Sequence, residues 1–221
     1  MQKIMFNDKF GLTKAVLEGR KTMTRRIIQA PETWHGFDVY GFTVNRDNRG
    51  EVFDITLVGA DGGSIEDENG SLGMILPKYQ IGETVAVAQS YNEIYEELKR
   101  THGSSSSVTR NFFHKYIQGG RMPVSNKMFV KAEAMLNRIR ITDIKVDRLQ
   151  EISDEDCMKE GIIRTNIAYT VGDYLLWDDR LRQRGFDTPR KAFAVLIDNV
   201  SGKGTWARNP YVFVYEFELV K

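Results

Sequence analysis

Apolar and polar positions along this chain change period several times, and each change marks an element. Lys3 to Phe6 read as a first strand. Leu12, Ala15, Val16 and Leu17 then recur at helical spacing. They predict a helix over Asp8 to Glu18, with Gly19 just beyond it, where a left-handed residue carries no Cβ penalty. Met23 to Ile28 end in two β-branched residues and lead into a strand. Phe37 to Val44 and Val52 to Leu57 are strand-like runs around Asn45-Arg46-Asp47-Asn48-Arg49-Gly50, which has hairpin-turn chemistry. Asp61-Gly62-Gly63 and Glu68-Asn69-Gly70 punctuate a loop. Thr84 to Ala88 is a strand and Asn92 to Arg100 a helix. His102 to Ser107 and Gln118-Gly119-Gly120 are Gly- or Ser-rich loops. Lys127 to Ala134 and Arg138 to Val146 read as strands, the second alternating through Ile139, Ile141 and Ile144. Ser153 caps a helix at Asp154-Glu155-Asp156. Thr188-Pro189 opens another through Asn199, with Gly202 past its end. Tyr211 to Val220 closes the chain as a strand. Helices flanking short strands, with strands from both ends of the chain, predict an α+β fold built on a small mixed β-barrel.

Composition narrows the function classes. The 221 residues are 41% hydrophobic, enough for a real core, and one large domain is expected. Net charge is +1, so nucleic-acid binding would need a local basic patch. Cys157 is the only cysteine, which excludes an intrachain disulfide. Its acidic neighbours raise a thiol pKa, and it reads as a packing residue. His35, His102 and His114 share no ligand spacing, so no metal is expected. Gly119-Gly120-Arg121 and Gly202-Lys203-Gly204-Thr205 lack the residues and helix of a phosphate-binding loop, and no cofactor is expected. No apolar run approaches the roughly 18 residues of a membrane span, and the first residues lack a signal-peptide core. A cytoplasmic protein without membrane partners is expected.

The densest chemistry lies in Leu17 to Ile28. This junction holds a glycine, the cations Arg20, Lys21, Arg25 and Arg26, and two threonines. It is either a helix C-cap followed by solvated basic residues or the rim of an anion-binding or catalytic site. Trp34, Tyr91 and Trp206 are candidates for base stacking, or else core aromatics.

Gly19-Arg20-Lys21-Thr22-Met23-Thr24-Arg25-Arg26 resembles the signature of ASCH-domain proteins in the PUA-like superfamily, and in particular their phage and prophage branch. Three further segments match in order. Gln80-Ile81-Gly82-Glu83-Thr84-Val85-Ala86-Val87 is similar to the family's Gly-Asp/Glu turn and strand. Ile139 onward, through Arg148-Leu149-Gln150-Glu151-Ile152-Ser153 to Glu160-Gly161, is similar to its strand, loop and acidic helix. Trp206, Asn209-Pro210-Tyr211-Val212 and Glu216-Phe217 are similar to its closing strand. The resemblance implies a PUA-like barrel over residues 1–221, with insertions at about 30–78 and 90–126.

It also implies binding of RNA or a modified nucleoside, with Arg20, Arg25, Arg26, Gln89, Trp206 and Asn209 as ligand-binding residues. In the family's enzymatic branch an amidohydrolase removes the acyl group of N4-acetylcytidine with a Lys, a Thr three residues later and a Glu. The matching residues here are Lys21, Thr24 and Glu160. Binding alone, N4-acyl-cytidine hydrolysis, and a phage accessory role without a small ligand all stay open, as does the oligomeric state. Ala88-Gln89 stand where phage-branch relatives carry Arg-Glu. The chemistry is coherent: a threonine hydroxyl needs a base, a lysine serves only with a lowered pKa, and a glutamate can relay a proton. The same residues could instead form an ion pair beside a backbone-bonded threonine. Residues three apart on a strand face opposite sides, so Lys21 and Thr24 share a pocket only if the chain turns between them. Ile152, Cys157 and Ile162 are expected inside. Glu160 should point inward to a cation, with Arg25 or Arg26 at the mouth of the site.

Overall fold

The computed structural model describes residues 1–118, 124–166, 168–171 and 185–220. Its strands in chain order are β1 (Lys3–Ile4), β2 (Met23–Ile27), β3 (Thr33–Trp34), β4 (Phe37–Asp38), β5 (Gly41–Arg46), β6 (Val52–Val58), β7 (Thr84–Val87), β8 (Arg138–Arg148), β9 (Ile162–Arg164), β10 (Tyr169–Val171) and β11 (Tyr211–Val220). The helices are α1 (Leu12–Leu17), α2 (Tyr91–His102), α3 (Ser107–Phe112), α4 (Asp154–Lys159), α5 (Pro189–Ser201) and α6 (Thr205–Arg208). The fold is α+β. The expected loop at Gln118-Gly119-Gly120 lies, beyond Gln118, outside the described residues.

The two longest strands, β8 and β11, pair within a five-stranded sheet ordered β1-β7-β8-β11-β2. β11 runs antiparallel to both neighbours, with Val214 opposite Lys145 on β8 and Arg25 on β2. Only β1 on β7 is parallel. Val212, Phe213, Val214 and Tyr215 of β11 are all buried, as befits a strand covered on both faces. The alternation of β7 divides the interior. Val85 and Val87 enter the main core, while Ala86 and Ala88 face a second cluster under Tyr91, Ile94 and Leu98 of α2. The small residues on that second face let the helix pack closely.

The end strands β1 and β2 are not paired with each other among the described residues. A seam runs between them, crossed by the Arg26 guanidinium, which donates to the Met5 carbonyl at 2.7 Å. The sheet is therefore open in its backbone hydrogen bonding, where the sequence leads one to expect a closed barrel.

Several local readings change. Residues Asp8 to Glu18 do not form one helix, because Gly11 is left-handed (φ 65°) between a 3₁₀ turn over Asp8–Phe10 and α1. Lys127 to Ala134 is two 3₁₀ turns rather than a strand. The half-buried Lys3 ammonium gathers the carbonyls of Lys127, Met128 and Val130, which bends the segment around it instead of leaving it extended along a neighbouring strand. The Phe37 to Val44 run breaks into β4 and β5. β4 folds back on β3 through His35 and Gly36, both at positive φ. Ser90 opens α2 in a capping box with Glu93, one residue earlier than the apolar pattern indicates. Ser106 caps α3, a helix the sequence reading assigned to no element. Among the described residues no helix is long and apolar enough to cross a membrane.

Candidate functional site: a cleft at the sheet seam

The seam between β1 and β2 opens into a cleft of about 520 Å³. Its sheet side comes from Met5, Phe6 and Asn7 after β1 and from Thr24 to Ile27 on β2. Its other wall is α5. Phe193, Leu196, Ile197, Val200 and Ser201 all line the cleft, and their spacing of three and four is one helical face. That face stands across the cleft from β2.

Lys21 precedes β2, so strand parity does not govern it. Gly19 takes φ 72° after α1, and the Arg20 and Lys21 amides both donate to the Ala15 carbonyl. This tight turn aims Lys21 inward, while Thr24 enters the cleft as the second residue of β2. Glu160 follows the last residue of α4, a helix anchored by Ile152 and Cys157, both fully buried. Ile162 is buried beyond it. Burial pushes the Cys157 thiol up to about 12, which leaves it inert as a nucleophile.

Lys21 and Glu160 meet here. The Lys21 Nζ donates to Glu160 Oε2 at 2.5 Å, to the Glu160 carbonyl at 2.8 Å and to the Met23 carbonyl at 2.8 Å. The two side chains are only 2% and 5% exposed. Three acceptors match the three protons of an ammonium. Burial holds the Lys21 pKa below the ordinary 10.5; the Glu160 charge and hydrogen bond oppose that, and Arg26 and Arg25 add to it. The Thr24 side chain is buried and makes no hydrogen bond among the described residues, with Lys21 or with any other group. Its hydroxyl is thus uncommitted in a cleft that the buried ion pair also lines.

Arg25 does not stand at the mouth of the cleft. Its side chain is almost fully buried, with Nη1 3.4 Å from Glu160 Oε1 and Nη2 3.1 Å from Asp156 Oδ2. Lys21 and Arg25 are thereby balanced by Glu160 and Asp156. The Arg25 Nε has no partner and is the one buried side-chain polar atom so left among the described residues. Arg26 fills the role at the mouth, with its guanidinium 5.8 Å from the Phe6 ring.

The remaining sequence candidates lie elsewhere. Arg20 is paired with Glu18 on the surface. Gln89 lines a different cleft, of about 930 Å³, where it donates to Glu97 and accepts from Asn137. Trp206 packs edge-on against the back of Phe193, and Asn209 takes a left-handed conformation (φ 47°) whose side chain receives the Gln150 amide. Both are structural supports rather than cleft groups. Sequence reasoning did not place α5 in the site. Its periodic apolar face was visible, but such a face signals burial without naming what it covers. No protein-family model, curated protein or solved structure matches the chain.

Gly161 makes the turn that follows Glu160. It sits at φ +103°, and a Cβ there would meet Leu12 Cδ2 at 3.4 Å and Lys21 Cδ at 3.7 Å. Gly161→Ala should lower unfolding stability by about 1–2 kcal/mol through the strained conformation. Urea titration of both proteins measures this, and an unchanged midpoint would show that the turn relaxes freely.

Proposed function

We propose that the chain is an ASCH-type protein of PUA-like architecture, its barrel open at one seam, whose cleft binds a modified pyrimidine nucleoside and hydrolyses its N4-acyl group. One observation carries this reading. Lys21, Thr24 and Glu160, from three separate elements, line one walled cleft, and the threonine hydroxyl there is free of protein partners. The volume of about 520 Å³ suits a single small ligand, in the usual range for such sites. A long basic groove for RNA alone would not require the apolar wall of α5.

The chemistry follows from the pair. Neutral Lys21 takes the proton of Thr24 Oγ1, which attacks the acyl carbon. The carbon–nitrogen bond breaks, and the departing N4 amine receives that proton back from the Lys21 ammonium. Glu160 holds the ammonium in place and favours its formation. Water then cleaves the threonyl ester, releasing a carboxylic acid and restoring Thr24. Lys21 and Thr24 do not hydrogen-bond each other in this structure, so bound substrate must draw them together. Binding without turnover is the second reading. It is favoured by the three acceptors around Lys21 Nζ, which hold the lysine as a charged anchor.

Incubation of the purified protein with N4-acetylcytidine should release acetate and cytidine, and Thr24→Ala should abolish the release. Binding of the nucleoside without acetate release would select the second reading. Neither binding nor release would leave an accessory role without a small ligand.

A further inference from the structure

The cleft does not end at its mouth. Met5, Arg26, Ile27 and Gln29 line it and also line a second groove of about 470 Å³ along the same seam. That groove contains Lys3, Arg26 and Lys78 and no carboxylate. Its floor is aromatic and aliphatic, with Tyr79, Tyr215 and Phe213. Lys3 supplies field only, since its ammonium is held by three carbonyls. Arg26 uses one nitrogen on Met5 and makes no other hydrogen bond among the described residues, and no acidic group pairs with it there. Lys78 likewise has no acidic partner there, and its ammonium lies 5.4 Å from the Tyr79 ring centre. The single carboxylate of the adjoining cleft, Glu160, is already engaged by Lys21 and Arg25.

The seam thus offers a walled pocket followed by a cationic groove, with Arg26 at the junction. We infer that the ligand of the cleft is a nucleotide rather than a bare nucleoside, its phosphate ester seated between Arg26 and Lys78. The inference rests on the nucleoside reading of the cleft. Arg26 presents a fork of donors that suits phosphate oxygens, and Lys78 adds a mobile point charge. No carboxylate lines the groove, although the Glu83 charge reaches Tyr79 and Tyr215 from beside it, and the cations Arg26, Lys3 and Lys78 outnumber that charge. The proposal also gives a use to the second cation of the Arg25-Arg26 pair, whose neighbour is consumed inside.

The test compares cytidine with cytidine 5′-monophosphate in equilibrium binding, and N4-acetylcytidine with its 5′-monophosphate in turnover. The phosphorylated form should bind about tenfold tighter or better at low salt, as one or two charge-assisted hydrogen bonds allow. Added salt should erode that advantage. The readout for variants is the ratio between the two ligands, which should fall several-fold in Lys78→Gln and approach unity in Arg26→Gln/Lys78→Gln. Equal affinity for both forms, or a ratio indifferent to the double substitution, overturns the inference while leaving nucleoside hydrolysis standing. A phosphate advantage without turnover sustains it and removes the hydrolase. A cytidine dinucleotide that binds tighter still than the monophosphate makes the ligand an RNA chain and overturns the mononucleotide assignment.

Discussion

Glu160→Ala should be the most destabilising single change in the site. The substitution removes the carboxylate that faces both Lys21 and Arg25, and it leaves two cations in the interior with only Asp156 between them. Breaking one buried pair costs about 3–5 kcal/mol, and here the upper end is expected because two partners lose their counter-charge. Against a total stability of about 5–15 kcal/mol, the variant should be close to unfolding at growth temperature. Denaturant titration measures the loss. Glu160→Gln keeps the shape and one acceptor oxygen, so it should fold better while still losing turnover. An alanine variant as stable as the parent would mean that water already shields the pair.

Lys21→Met should abolish turnover and cost about 3 kcal/mol, the lower end of the same range, since Arg25 still reaches Glu160. The pH profile separates base from brace. The Lys21 pKa lies below 10.5 in the fold. Only the neutral amine accepts a proton, so kcat/KM should rise with pH through that lowered pKa. Stability moves the same way. Between the folded pKa and 10.5 the unfolded chain binds a proton that the folded chain does not, so unfolding free energy rises with pH across that window. Below the window the penalty for the buried ammonium is fully present. In Lys21→Met both slopes should disappear. A parent enzyme with a flat rate profile there, or a methionine variant with residual turnover, would remove Lys21 as the base.

The meeting of Lys21 and Glu160 was legible from the residues around them. Gly19 announced a turn, Ser153 announced the acidic helix, and the resemblance linked the two. What the residues could not reveal was which arginine goes inside. Arg25 and Arg26 are neighbours with the same chemistry, and strand alternation separates them only once the covered side of β2 is known. Asp156 and Glu160, four residues apart on one turn of helix, were the available sign that a second cation would be needed. Gln89 and Asn209 were placed by resemblance alone, and the fold gives each a hydrogen-bonding task away from the cleft. The misread strand at Lys127 to Ala134 has a different cause. Alternation records which side chains are apolar, but it does not register a distant lysine that gathers the carbonyls.

The unpaired seam also sets how the molecule yields. β8 and β11 share a long ladder, whereas among the described residues β1 holds two paired positions on β7 and none on β2. The ladder there is short, so the first residues are held mainly by side-chain contacts. Three carbonyls sit on Lys3, Arg26 donates to Met5, and Ile4 and Phe6 are buried in the core. Opening at the seam must break these together. A ligand lying across Met5, Arg26 and Lys78 would act as a rivet between the two ends of the sheet. Its affinity then includes the docking free energy of the first strand, so extensions fused before Met1 would tune binding without touching a single cleft residue.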